Sequence, residues 1–277
     1  MRVVVCAMAK NESLYIKDWV KHHLRIGFDK IYIYDNDDLD VPNDKLIENI
    51  LPKSDKIEII DIRGRKEENL HHHVFTEFYK THKFDWCLFC DVDEFLSGVE
   101  NIHIYMSLPQ FRNASQVRIK WRLFGDDDKI ERNMSKPVYC CFHKIITKSL
   151  NRNLNKKSNL ENQGKAIVRG GLPNVVFHSP HYGCYYDIDH IIPSILPSGR
   201  PCWSRVAIKE DYRFESIFLN HYMTKSLSEF VNQKLNRNDA VFNQQIKLNY
   251  YWRINKKTPQ KLEWLKEKGL LWVLRYW

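Results

Sequence analysis

Apolar residues in the first third of the chain fall into two alternating patterns. Arg2 to Met8 is a short, nearly unbroken apolar run, and Lys10-Asn11-Glu12-Ser13 after it offers helix-start residues. Tyr15, Ile16, Trp19, Val20, His23 and Leu24 then recur at helical spacing, which predicts an amphipathic helix closed by Gly27. Ile31 to Tyr34 is a second apolar run, stopped by Asp35-Asn36-Asp37-Asp38. A helical stretch near Asp44 to Leu51 precedes a third strand over Ile57 to Ile62. A helix over Asn69 to His82 and a fourth strand over Trp86 to Cys90 complete the series. Strands alternating with helices imply a mostly parallel central sheet with helices on both faces.

Past this point the pattern loosens. Val117 to Trp121 alternates like a strand, and Lys165 to Val168 and Val175 to Phe177 read as short strands among recurring Gly and Pro. From Ser226 the signal turns helical, with Ser226 and Glu229 at capping-box spacing. A last helix follows Thr258-Pro259, Pro being favourable in a first turn, and Leu262, Leu265, Leu270, Trp272, Leu274 and Trp277 alternate there with Lys and Arg. The expected division is one domain over 1–225, with a first half to about residue 100 and a second half over 101–225, then a helical extension over 226–277.

Composition narrows the class. The chain has 277 residues, 43% of them hydrophobic and 28% charged, which excludes a disordered chain and leaves room for one large α/β core. No apolar run reaches the roughly 20 residues of a membrane span. The first strand begins almost at Met1, so a signal peptide is not expected and a cytoplasmic protein is. Seven cysteines cannot all pair. Cys87 and Cys90 form a C-x-x-C inside the apolar run Trp86 to Cys90, where cysteine acts as a small hydrophobe. The net charge of +9 favours an anionic partner, whether nucleotide phosphates, nucleic acid, an acidic glycan or an anionic membrane surface, without choosing among them. His143 to Lys157, with five Lys or Arg and no acid, reads as a solvated loop.

In open α/β sheets ligands bind outside the carboxyl ends of the strands. Lys10-Asn11-Glu12, Asp35-Asn36-Asp37 and Asp91-Val92-Asp93-Glu94 all follow predicted strand ends and are expected along one edge. Any one of them is explained by helix caps and turns; three at equivalent places point to a site. Asp91 and Asp93, two apart at a strand end, are expected to project to one side and share a hard cation such as Mn2+ or Mg2+ with diphosphate oxygens. His71, His72 and His73 are consecutive on a predicted helix. Side chains there point about 100° apart, so the three cannot share one ion; His71 is taken as the one that faces the nucleotide.

Three segments of the first part, Ala9 to Glu12, Trp19-Val20-Lys21-His22-His23 with Gly27-Phe28-Asp29, and Ile31 to Asp37, resemble family 2-related glycosyltransferases. The similarity is to the branch that includes family 92 and its bacterial relatives. The Trp-led strand ending in D-x-D-E-F, here Trp86 to Phe95, belongs to the same resemblance. So do Lys120 to Gly125, Lys165 to Arg169 and Asn220 to Ser226; the stretch from 126 to 163 has no counterpart. The resemblance implies a GT-A fold, Rossmann-like, binding a nucleotide sugar. Lys10, Asn11, Glu12, Asp35 and Asn36 would line the nucleobase and ribose, Asp91 would touch the ribose or the metal, and Asp93 would ligate the metal. Relatives often carry Gln and an aromatic residue before the D-x-D strand, where this chain has Leu70 to Phe75.

A late histidine on the cation is a further implication. His221 is the first candidate, with His178 and His181 as competitors. Inverting relatives need a carboxylate base to deprotonate the acceptor hydroxyl. Asp211, in a Glu-Asp pair as in such relatives, is the candidate, with Asp187, Asp189 and the cluster Asp126 to Asp128 as alternatives. The expected activity is therefore transfer of a sugar, a hexose from a UDP donor being favoured, to a glycan or lipid-linked acceptor, with inversion, in bacterial surface polysaccharide synthesis. Two other classes compete. A nucleotidyltransferase would carry a glycine-rich loop after the first strand, and no glycine precedes Gly27. A nucleic-acid-binding module would carry a recognisable signature, and none is present. The basic, Trp-rich C-terminus is expected to pack on the catalytic domain, with peripheral contact to an anionic membrane as the second reading.

Overall fold

The computed structural model describes residues 1–146, 162–185, 191–203, 208–210, 212–213, 215–235 and 245–270. It is a mixed α/β structure built on a large central sheet. In chain order the elements are β1 (Val3–Ala9), α1 (Ile16–Arg25), β2 (Lys30–Asp35), α2 (Ile47–Ile50), β3 (Ile57–Asp61), α3 (Leu70–Thr81), β4 (Trp86–Asp91), β5 (Glu94–Ser97), α4 (Ile102–Met106), β6 (Gln116–Leu123), β7 (Gly164–Arg169), β8 (Val175–Val176), β9 (Cys184–Tyr185), β10 (Ser194–Ile195), β11 (Phe218–His221), α5 (Leu227–Gln233), α6 (Leu248–Tyr251) and α7 (Pro259–Glu267). The stretch expected to be helical from Asp44 to Leu51 is shorter. A 3₁₀ turn over Asn43–Lys45 and the single turn of α2 are separated by Leu46, whose backbone is extended.

The sheet order is β3-β2-β1-β4-β7-β6-β11-β5, with β10 beside β6. β1, β2, β3 and β4 are mutually parallel, whereas β7 runs antiparallel to both β4 and β6. The chain builds outward from β1 through β2 to β3, then returns to the other side of β1 as β4. That reversal makes the carboxyl ends of β1 and β4 the topological switch point, where such sheets bind ligands.

Alternation along the strands explains the two faces. Val4, Cys6 and Met8 of β1, Tyr32 and Tyr34 of β2, and Cys87 and Phe89 of β4 form one buried cluster with Leu70, Val74, Phe75 and Phe78 of α3. α1 lies against β2 and β5 outside this cluster, covering the other face. Its Trp19 indole N–H donates to the Glu94 carbonyl at 2.8 Å, and a ring nitrogen of His22 donates to the Leu96 carbonyl at 2.7 Å. Tertiary contact thus fixes this helix, which has no side-chain N-cap. Gly27, at φ +96°, ends it in the left-handed region that glycine enters without strain.

The chain divides into two compact units, residues 1–121 with 162–220, and residues 122–161 with 221–277. The region expected as a helical extension, 226–277, therefore shares its unit with residues 122–146. Within that second unit Leu227, Phe230, Leu248, Tyr251, Trp252 and Leu265 pack into a core of their own. None of the seven cysteines is in a disulfide, and Cys87 and Cys90 are buried in β4. Among the described residues no helix is long and apolar enough to cross a membrane.

Candidate active site

The parallel register brings the three polar clusters to one edge. Ala9 is paired with Asp35, Asp35 with Asp61, and Met8 with Asp91, so the residues that follow β1, β2 and β4 leave the sheet at the same level. Around the ends of β1 and β2 they bond to one another. The Asn11 backbone N–H donates to the Asp37 carboxylate at 2.5 Å, with Asn11 itself at φ 57°. The Lys10 ammonium pairs with Asp38 at 3.1 Å. The Asp37 N–H donates to Asp35 at 3.0 Å, and the Asn36 amide, with its nitrogen toward the neighbouring loop, donates to the Arg65 and Ile62 carbonyls. The carbonyl of Glu12 accepts the N–H groups of Tyr15 and Ile16 and opens α1.

Asp35 is almost wholly buried. Burial pushes its carboxyl up to about 6, the neighbouring Asp37 and Asp61 carboxylates pushing the same way against the Asp37 N–H and Arg63.

The D-x-D segment departs from its sequence expectation. β4 ends at Asp91, and Val92-Asp93 form a tight turn into β5, so Asp91 and Asp93 are not successive same-side positions of one strand. The turn is closed by Glu94, whose carboxylate accepts the Asp91 N–H at 2.9 Å. Val92 and Phe95 are buried, and Phe95 stacks among His22 and His23, which anchors the turn to α1. Asp93 is 5% exposed.

Asp91 has company that the sequence reading did not assign. The Lys165 ammonium, 1% exposed, lies 2.9 Å from one carboxylate oxygen of Asp91 and 4.0 Å from Glu94. Antiparallel pairing of Phe89 with Ala166 carries the start of β7 to the end of β4 and delivers Lys165 there. His71, in the first turn of α3, approaches the other Asp91 oxygen at 3.4 Å. Burial raises the Asp91 carboxyl, but Lys165 and His71 together outweigh it and hold the group well below the carboxylate range. Burial drives Glu94 the other way, above its usual value. Burial lowers Lys165, and the Asp91 and Glu94 charges more than reverse that, keeping it an ammonium.

The other histidines are distributed more widely. His73 is exposed, 3.8 Å from Glu67, and His72 is pushed down to about 4 by burial and then by neighbouring His71 and His178. His178 is exposed. His181 donates from Nδ1 to the Gly164 carbonyl at 2.8 Å, and burial followed by the Lys165 charge lowers it to about 3, so it is a neutral imidazole with Nε2 as acceptor. His221 is buried at the end of β11, in the second unit.

Of the carboxylates weighed as base, Asp211, Asp187 and Asp189 lie outside the described residues. Asp126 and Asp127 have structural tasks in the second unit. Asp126 is buried against Lys261 and the Tyr251 hydroxyl. Asp127 accepts the N–H groups of His143 and Lys144 at 2.8 and 2.9 Å. Asp128 pairs with Lys144 at 2.9 Å on the surface.

Hard carboxylate oxygens at the switch point suit Mn2+ or Mg2+ in kind. Among the described residues, however, no three His, Cys, Asp or Glu side chains converge closely enough to hold an ion by themselves. Further ligand oxygens would have to come from a bound diphosphate.

No family model matches the chain, and no curated protein matches its sequence. Solved structures that resemble it include S. aureus TarS 1–349, at 13% identity and a TM-score of 0.33, over 61% of this chain and 47% of that one. The complex of TarS 1–349 with UDP-GlcNAc matches at 14% identity and a TM-score of 0.32, over 44% and 35%. The mannosyltransferase PcManGT from Pyrobaculum calidifontis, in complex with GDP-Man and Mn2+, matches at 11% identity and a TM-score of 0.30, over 44% and 36%. The chain thus spans between about a third and a half of the length of these structures.

Proposed function

We propose that the chain is a GT-A-type glycosyltransferase that transfers a sugar, most favourably a hexose from a UDP donor, to a hydroxyl of a glycan or lipid-linked acceptor in bacterial surface polysaccharide synthesis. The observation that carries the proposal is the convergence of three polar loops on the switch point of a 3-2-1-4 parallel sheet, with the D-x-D turn directly after β4. Lys10, Asn11, Glu12, Asp35 and Asn36 form the wall that would receive the base and ribose. Asp91 and Asp93 would hold Mn2+ or Mg2+ together with oxygens of the bound diphosphate, which a late histidine would meet. His221 is the candidate from sequence, and His181 is the one whose tautomer leaves Nε2 as an acceptor. A divalent ion held there neutralises charge on the departing nucleoside diphosphate.

His71 faces the same edge and orients Asp91. Inversion needs a base on the acceptor side, and Asp211 is proposed for it.

Binding of UDP, GDP and CDP to the purified protein, with and without Mn2+ and beside Asp93→Ala, tests the assignment. Metal-dependent binding of one nucleotide, weakened at least tenfold in the variant, is expected. A folded protein that binds none of the three would overturn the transferase assignment. Release of pyrophosphate in place of a nucleoside diphosphate during turnover would replace it with nucleotidyl transfer.

A further inference from the structure

Lys165 is almost fully buried, on a strand that continues with the apolar Ala166, Ile167 and Val168, and its ammonium lies between two carboxylates of the candidate donor site. A lysine is rarely enclosed unless it is paired. At 1% exposure it cannot carry its charge out to solvent as a surface lysine does. The site therefore holds a permanent positive charge 2.9 Å from the carboxylate that would meet the cation.

The other groups around Asp91 offset it only in part. His71 approaches the second oxygen from α3, Nδ1 of His181 is taken up by the Gly164 carbonyl, and the Glu94 carboxylate, 4.0 Å from the ammonium, is shared with the Asp91 N–H. A divalent ion reaching Asp91 without a nucleotide meets a carboxylate whose charge Lys165 has cancelled, and meets the repulsion of the ammonium as well. A nucleoside diphosphate brings several negative charges to the same edge. That restores attraction for the ion and gives the ammonium a second anion to face.

We propose that Lys165 is a positioning residue that makes divalent-cation binding at Asp91 and Asp93 conditional on a nucleoside diphosphate. The inference rests on the donor-site assignment above but is read separately from it. The ordering follows directly: nucleotide and ion enter together, and the ion alone is held weakly. A hydrophobic or neutral side chain of similar length at 165 frees Asp91 and removes the condition, while arginine retains it.

The test is Mn2+ binding, followed by the electron paramagnetic resonance of the free ion, for the wild type, Lys165→Met, Lys165→Gln and Lys165→Arg. Each protein is first checked for a native circular dichroism spectrum. Mn2+ is titrated alone and again with saturating UDP, GDP or CDP. The wild type and Lys165→Arg are expected to bind Mn2+ at least tenfold more weakly alone than with the nucleotide. Lys165→Met and Lys165→Gln are expected to bind Mn2+ alone at least tenfold more tightly than the wild type, a gain that simple loss of structure does not produce.

Wild-type protein that binds a nucleotide and yet holds Mn2+ equally well with and without it overturns the proposal. So does either neutral variant, folded, with unchanged or weaker affinity for Mn2+ alone. Absence of binding by every nucleotide sinks the donor-site assignment instead, since the comparison with Mn2+ alone needs no nucleotide.

Discussion

The most consequential side chains divide into those visible from sequence and those visible only from register. Asp35, Asp91 and Asp93 stand out because they follow apolar runs at equivalent places, and the switch-point rule gives them a common address. Lys165 heads the apolar run Lys165-Ala166-Ile167-Val168, where a charged residue could equally have marked a strand end in solvent. Only the antiparallel pairing of β7 with β4 puts it on Asp91.

Asp35 carries a pH prediction. Its carboxyl titrates near 6 in the folded chain against about 3.8 unfolded, burial being the first cause. A raised acid stabilises the fold below the unfolded value, and that contribution is lost as pH rises through 6. Asp35→Asn retains an oxygen for the Asp37 N–H and removes the buried charge. The variant should gain about 1 to 3 kcal/mol at pH 8, converted at 1.36 kcal/mol per unit, and almost nothing at pH 4. Urea melts at the two pH values check it, and an equal gain at both would refute the assignment of the shift to Asp35. Nucleotide affinity should fall in the same variant, because stability and ligand binding make opposite demands on this carboxyl.

At the scale of elements, regular strands and caps were legible and turns were not. The capping box read from Ser226 and Glu229 is present. The Ser226 hydroxyl accepts the Glu229 N–H, and the Glu229 carboxylate accepts the Ser226 N–H at 3.1 Å. Sequence spacing did not reveal that the same carboxylate also binds the buried Arg132 at 2.5 Å. Ser226→Ala should therefore cost about 1 kcal/mol as an ordinary lost cap, whereas Arg132→Met strands a buried acid and should cost about 3 to 5 kcal/mol. Chemical denaturation of the two variants separates these; equal losses would mean that the ion pair adds nothing beyond the cap.

The D-x-D segment failed as a strand because alternation says where side chains point only while the strand continues, and it stops at Asp91. Gly164 is a quieter case. A Cβ there would sit 1.9 Å from the Ile119 carbonyl oxygen, so β7 can approach β6 only with glycine at this point. Gly164→Ala should destabilise by about 1 to 3 kcal/mol through overpacking. It should also weaken nucleotide binding, since Lys165 is the next residue. Unchanged stability would show that the strands separate freely.

At the scale of the whole chain, the helical signals near the C-terminus mark α5, α6 and α7, whose apolar residues form the core of the second unit. α7 begins with the Thr258 hydroxyl accepting the Lys261 N–H, and the buried Lys261 ammonium pairs with Asp126, which also accepts the Tyr251 hydroxyl of α6 and the Asp128 N–H. Asp126 and Lys261 lie far apart in sequence and neither interrupts a helical or strand pattern in a way that announces a partner. Deleting residues 259–277 would thus remove more than a surface for anionic lipid. It would leave Asp126 buried without its cation and take Leu265 out of the second unit's core.

The expected result of that deletion is loss of the second unit's cooperative melting, and Lys261→Met alone should cost about 3 to 5 kcal/mol. A chain ended after Leu270 keeps α7 and Gly269, which closes it at φ +68°, and should melt as the full chain does. That shorter truncation is the one that isolates residues 271–277 for vesicle co-sedimentation. Binding to anionic vesicles lost in it, with melting unchanged, would assign membrane contact to the Trp-rich end. A melting temperature lowered as far as by Lys261→Met would instead make those last residues part of the fold.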